Sequence, residues 1–199
     1  SKTLILANGG SGRMLGIPGE DLNGVRLNAP KDGLDYKGKH VYVIGGADGA
    51  VKEALYLAKI AGKVTIVCVE DELVCIQEFK DKVSTYDNIE IMPHASLTAA
   101  YGKECVEELE FTDNQTGEKH RVRDTGCGVF VYAGIIPNTQ MYTELKLEEG
   151  YIPVDGSMQT EIQGVFAAGD LCVKKVRQVA TAVSDGAIAG VHAAAVCGG

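Results

Sequence analysis

A chain of 199 residues holds one large domain or two small ones, each able to bury a core. Its 45% hydrophobic and 23% charged residues are those of an ordinary globular protein, and its net charge of -8 denies it the basic footprint of a nucleic-acid or anionic-membrane binder. No 18 apolar residues run together and Ser1-Lys2-Thr3 opens no signal peptide, so no membrane span is expected.

Thr3–Ala7 reads as a short buried strand stopped by Asn8-Gly9-Gly10. Residues 11–39, rich in glycine and charge and without clear periodicity, read as linker and loop. His40–Ile44 is a second buried strand. The spacing of Val51, Ala54, Leu55 and Ala58 then predicts a helix, with Asp48 as N-cap and Gly62 as its stop. Val64–Val69 closes a βαβ unit, whose parallel strands imply a covered α/β sheet. Further on, Leu73–Tyr86 reads as a helix and Ile89–Met92 as a strand. Val106–Phe111 and Glu118–Arg123 flank Asn114-Gln115-Thr116-Gly117 as a hairpin. Gly128–Ala133, Tyr151–Val154 and Val165–Ala168 read as strands. Arg177–Cys197, rich in Ala, Val and Gly, is expected to be a buried helix.

The βαβ unit carries the best chemical signal. Its first turn, Gly45-Gly46-Ala47-Asp48-Gly49-Ala50, approaches the dinucleotide pattern G-x-G-x-x-G/A. Gly45 supplies the tight turn, Ala50 permits close packing of helix on strand, and a pyrophosphate would meet the free amides of the helix start. Ala47 departs from the pattern, because its methyl stands where glycine lets backbone approach phosphate. Without a ligand the same residues form a plain strand-to-helix connection. Glu70, 25 residues after Gly45, is placed to accept hydrogen bonds from ribose hydroxyls. Asp71 and Glu72 follow, and no Arg or Lys occurs from Val64 through Phe79, which favours NADH over NADPH; a solvated acidic loop has the same composition. The six cysteines (Cys68, Cys75, Cys105, Cys127, Cys172, Cys197) form no CxxC pair. They read as reduced, buried thiols in a cytoplasmic chain. His40, His94, His120 and His192 show no metal-ligand spacing, and no metal is assigned.

Taken together, ordered segments resemble the thioredoxin reductase family, low-molecular-weight type, over nearly the whole chain. Leu15–Glu20 resembles the linker into that family's pyridine-nucleotide domain, and Lys37–Val41 with Val51–Leu57 its βα turn and helix. Gly134-Ile135-Ile136-Pro137-Asn138-Thr139 resembles the segment returning to the flavin domain. Gly164–Asp170 is similar to the motif whose aspartate, here Asp170 after Gly169, holds the FAD ribityl chain. Arg177-Gln178-Val179 resembles the helix start against the isoalloxazine ring.

The resemblance implies a Rossmann-like α/β fold: a pyridine-nucleotide domain (15–138) inserted in an incomplete flavin domain (1–14 and 139–199). It implies FAD and NADH as cofactors, a homodimer, and hydride transfer from NADH to FAD and on to a protein or small-molecule acceptor that the sequence does not name. Three departures qualify it. The redox-active Cys-Ala-Thr-Cys-Asp-Gly falls on Asn28-Ala29-Pro30-Lys31-Asp32-Gly33, so Asn28 and Lys31 stand where the cysteines would. The basic segment used for the NADPH 2′-phosphate falls on Cys68-Val69-Glu70. The family's first βαβ unit, roughly one hundred residues for a typical domain of this kind, has no counterpart. This implies a fragment or split protein, inactive as it stands. The rival expectation is a non-catalytic nucleotide-binding, scaffold or electron-transfer partner protein derived from the family.

Overall fold

The computed structural model describes residues 1–198. In chain order the elements are β1 (Leu4–Leu6), β2 (Gly10–Gly12), β3 (Val25–Arg26), α1 (Ala29–Asp32), a 3-10 turn (Gly33–Tyr36), β4 (His40–Ile44), α2 (Asp48–Leu57), β5 (Lys63–Val67) and α3 (Gln77–Val83). There follow β6 (Ile89–Met92), β7 (Ala95–Tyr101), β8 (Glu108–Asp113), β9 (Lys119–Arg123), β10 (Gly128–Val131), β11 (Ile135–Pro137), β12 (Val165–Ala167) and α4 (Val179–Gly198). They fall into two compact units, Gly12–Gly134 and Ser1–Ser11 with the chain from Ile135 onward.

In the unit Gly12–Gly134 a five-stranded sheet runs β3-β10-β4-β5-β6, parallel throughout. Its central strands β10, β4 and β5 are covered on both faces, which is why they read as continuous apolar runs. On one face Val41, Val43, Ile66 and Phe130 pack against Val51, Ala54 and Leu57 of α2. On the other, Tyr42, Ile44, Val67 and Val129 meet Leu97, Leu109 and Phe111 from the antiparallel sheet β7-β8-β9. The expected βαβ unit and hairpin are both present. Several boundaries differ from the sequence reading. Residues 11–39 contain β3, α1 and a 3-10 turn, because two-residue pairings and single helical turns leave no periodicity to read. Strand β7 was not expected, since the alternation of Ala95–Tyr101 rests on alanines. The helix after β4 ends at Leu57, before Gly62, and α3 begins only at Gln77.

At the start of the central strands, His40 Nδ1 stands 2.7 Å from Asp124 Oδ2 and its Nε2 lies 2.8 Å from Thr65 Oγ1. Tyr42 donates to the same carboxylate at 3.1 Å, and burial pushes its phenol pKa up. This gives the buried Thr65 hydroxyl a partner.

Glu110 of β8 is the other buried polar group in that unit that organises its surroundings. Lys119 Nζ donates to it at 3.0 Å, Arg121 Nε at 3.0 Å and Tyr101 Oη at 3.3 Å. Hydrogen bonds from Lys119, then Arg121, hold its carboxyl at about 2. Because the folded value lies below the ordinary 4.5, this stabilisation is present above the ordinary value and is lost as pH falls through about 2. We expect Glu110→Gln to make the β7–β9 sheet less stable at neutral pH and to flatten its acid dependence over that window. Hydrogen exchange of the β8 and β9 amides against pH is the check.

In the other unit, β1 pairs with β12 in parallel, Leu4 opposite Val165 and Leu6 opposite Ala167. Leu6, Ile152, Ala167, Leu171 and Cys172 form one small core; Phe166 and Ala168 meet Ala189 and Ala193 of α4 in another. Three sequence expectations are corrected here. Only Leu6 of β1 is buried, since a two-stranded ladder covers one side of it. Tyr151–Val154 forms isolated bridges rather than a strand, with Ile152 bonded to Leu171 and Val173, and Pro153 has no amide to extend the ladder. Helix α4 is largely exposed: Val179, Val183 and Val191 are open, because the narrow ladder receives only the Ala189–Ala193 stripe. By length and composition alone α4 is also apolar enough to cross a membrane, although polar residues interrupt its apolar run. Within this helix Asp185 is paired with Lys174.

Candidate functional site

The turn after β4 is built by backbone constraints. Gly45 has φ +132 and donates to Val67 O at 2.8 Å; a Cβ there would stand 2.6 Å from Tyr132 O. At Gly46 a Cβ would stand 2.8 Å from that of Cys68. Ala50 is buried, and an added Cβ on Gly45 would come within 3.2 Å of its methyl. The N-cap of α2 is Ala47, not Asp48 as the sequence suggested. Asp48 is instead the first helical residue, and its carboxylate accepts the Ile76 amide at 2.9 Å. Val74 donates to Gly46 O at 2.9 Å, so residues 70–76 fold across the turn, which displaces the start of α3 to Gln77.

A cleft of about 400 Å3 opens beside this turn, walled by Gly45, Gly46, Ala47, Glu70, Leu97 and Gly134 among others. Five of the residues singled out in the sequence thus meet in one place. Ala50 lies behind them in the core, and Asp48 belongs to a neighbouring acidic cleft with Glu70, Asp71 and Glu72. The wall from Ala95 to Leu97 was not foreseen, since it belongs to the unexpected β7. Two side chains approach the acidic loop: Lys80 Nζ lies 3.1 Å from Glu72 and His94 Nδ1 3.4 Å from Asp71. Gly134, at φ +108, has nothing within 4 Å of where a Cβ would stand. A glycine turn opening a helix beside an apolar cleft with one carboxylate at its rim suits a dinucleotide.

Asn28 has structural employment. The Asn28 side chain caps α1 by accepting the Lys31 amide at 3.0 Å, and the Ala29 amide donates to Tyr132 Oη at 2.9 Å. Burial raises the thiol pKa of Cys68, of Cys127 to about 12 and of Cys172 to about 11, so none of these three is primed as a thiolate.

In the other unit, Asp170 follows Gly169, whose φ is +89 and whose amide donates to Asp185 at 3.0 Å. Asp170 Oδ1 is buried and has no hydrogen-bond partner among the described residues. An orphaned acceptor of this kind fits a ligand hydroxyl, as on a ribityl chain. Arg177 does not reach outward. Its guanidinium donates to Asp170 O at 3.2 Å and Cys172 O at 3.3 Å, and stacks 4.0 Å from the Tyr151 ring centroid. Gln178 and Val179 are exposed at the start of α4, where the Gln178 amide donates to Thr181 Oγ1 at 3.1 Å. Neither Tyr151 nor Asp185, which brace this segment, carried any sequence signal.

A parallel sheet with a glycine turn between its first central strand and the helix that follows defines a Rossmann-like α/β protein. The family model described as pyridine nucleotide-disulphide oxidoreductase matches residues 1–186, and the chain belongs to that family. It is similar to the thioredoxin reductase of Peptoclostridium acidaminophilum, 39% identical over 97% of this chain and 64% of that protein. It is also similar to the 34.2 kDa protein in the rubredoxin operon of Clostridium pasteurianum, 36% identical over 100% of this chain and 65% of that one. The crystal structure of Lactococcus lactis thioredoxin reductase superposes with a TM-score of 0.92 at 32% identity, over 98% of this chain and 66% of that one. The chain therefore spans about two thirds or less of the length of the relatives it matches.

Proposed function

We propose that the protein is a flavin-dependent oxidoreductase that takes hydride from NADH rather than NADPH, and that it works without the dithiol at Asn28–Lys31. The observation that carries the reading is the convergence of Gly45, Gly46 and Glu70 on one cleft at a helix start. NADH would be held with its pyrophosphate at the Gly45–Ala50 turn and a ribose against Glu70. FAD would be held by Asp170, whose Oδ1, without a partner among the described residues, is an acceptor for a ribityl hydroxyl. When bound, the pair supplies hydride chemistry, and the chain's task is to bind, orient and tune. Arg177 contributes by fixing the Asp170–Cys172 backbone. The next electron acceptor is a protein or small molecule, and the homodimer and cytoplasmic setting are part of the same reading.

The test is anaerobic mixing of NADH with FAD-loaded protein in which this chain is joined to a complete flavin domain, followed by thiol titration. Bleaching of the flavin without two additional thiols per chain is expected. No bleaching would instead support the non-catalytic reading, and two additional thiols with turnover of thioredoxin would overturn the claim about the dithiol.

A further inference from the structure

The acidic rim Glu70-Asp71-Glu72 lies beyond the end of β5, so neither strand nor helix holds it. Three consecutive carboxylates repel one another, and a loop left to itself would not keep Glu70 at a defined place. Lys80 holds its Glu72 end and the Val74 amide the chain beyond it, while His94 ties the Glu70-Asp71 end. His94, between β6 and β7, has φ +51, a left-handed conformation that few residues other than glycine adopt. In that conformation its amide donates to Glu70 O at 3.1 Å while its carbonyl accepts the Asn114 amide at 2.6 Å. The ring spans the same gap. Gln115 Nε2 lies 3.1 Å from Nε2 and, donating to it, leaves Nδ1–H facing Asp71 Oδ1 at 3.4 Å. The turn that presents Asn114 and Gln115 is itself fixed, because Asp113 Oδ1 accepts the amides of Gln115 and Thr116 at 2.8 and 2.9 Å.

We propose that His94 is the positioning residue of the nucleotide cleft: it clamps Glu70-Asp71 to the β8–β9 turn and thereby sets where the Glu70 carboxylate meets the ribose. The proposal rests on the dinucleotide reading of the cleft. Its mechanism is local order supplied in advance, so that a ribose hydroxyl finds its acceptor already placed and binding does not have to order the loop.

The test uses His94→Ala, His94→Asn, Glu70→Ala and the double variant His94→Ala/Glu70→Ala. NADH is titrated by calorimetry, and amide exchange is measured on the ligand-free protein. His94→Ala is expected to weaken NADH about three- to tenfold, the worth of one or two hydrogen bonds. It should also speed exchange at residue 94 and at Asn114. Asn tolerates the left-handed conformation and offers an amide N–H towards Asp71, so His94→Asn should bind within about twofold of the unaltered protein. On the Glu70→Ala background, removing the imidazole should cost less than about twofold, because its effect passes through the Glu70 carboxylate. Unchanged exchange in His94→Ala overturns the clamp. A loss that persists in full without Glu70 shows general destabilisation and overturns the positioning role. An unaltered protein that binds neither NADH nor NADPH overturns the dinucleotide reading itself, whatever the exchange data give.

Discussion

Gly45→Ala is expected to destabilise the unit Gly12–Gly134 by about 3 kcal/mol or more and to abolish nucleotide binding. Two costs combine. At φ +132 an L side chain is strained wherever it points, and the new methyl would lie 2.6 Å from Tyr132 O, a backbone atom. That carbonyl cannot swing aside cheaply. The Tyr132 amide donates to Ile44 O at 2.8 Å, and the ring hydroxyl accepts the Ala29 amide, so β10, β4 and α1 would have to shift together. The cleft would change with them, since Gly45 and Tyr132 both wall it. Gly49→Ala is the control. Nothing lies within 4 Å of its added Cβ, and the position is helical, so a gain of about 0.5–1 kcal/mol is expected. Hydrogen exchange in β4 and β10 measures both variants without assuming that the two units unfold together. Equal protection in Gly45→Ala and unaltered protein would refute the argument.

The same geometry explains what the sequence made legible. The βαβ unit was readable because β4 and β5, covered on both faces, spell continuous apolar runs around a glycine turn. Gly45, Gly46 and Glu70 could be assigned to one site because strand order in such a unit dictates where the turn and the next strand's end must meet. What stayed hidden depends on long-range contact. Asp48 has the chemistry of a cap, but its partner is the Ile76 amide, 28 residues away. Arg177 looks like an outward cation, yet two carbonyls and the Tyr151 ring hold it inward. The composition of α4 is that of a buried helix, but among the described residues only its Ala189 and Ala193 are buried. His94 gave no signal, because neither its backbone conformation nor its contacts with Glu70, Asp71 and the β8–β9 turn can be read from spacing.

NADH should bind more tightly than NADPH by about ten- to a hundredfold, corresponding to roughly 1–3 kcal/mol of charge repulsion partly screened by water. The two nucleotides differ only by a phosphate on the ribose that Glu70 is placed to meet. That phosphate would enter beside Glu70, Asp71 and Glu72, and the neighbouring cation, Lys80, is already engaged with Glu72. The carboxylate favours NADH twice, by accepting a ribose hydroxyl and by repelling its phosphorylated form. Removing its charge therefore narrows the ratio from both sides, and Glu70→Gln should bring the two affinities within about threefold. Glu70→Arg supplies a guanidinium that suits phosphate and should invert the preference. Raising salt should narrow the ratio for the unaltered protein, because the repulsion is between groups near the surface. Ala47 bears on both nucleotides alike: its methyl walls the cleft near the pyrophosphate position, so Ala47→Gly should strengthen NADH and NADPH by similar factors and leave their ratio unchanged. Calorimetric titration of the four proteins with both nucleotides decides the matter. Tighter binding of NADPH by the unaltered protein would mean that the acidic rim does not face the ribose, and the assignment of Glu70 would fall with it.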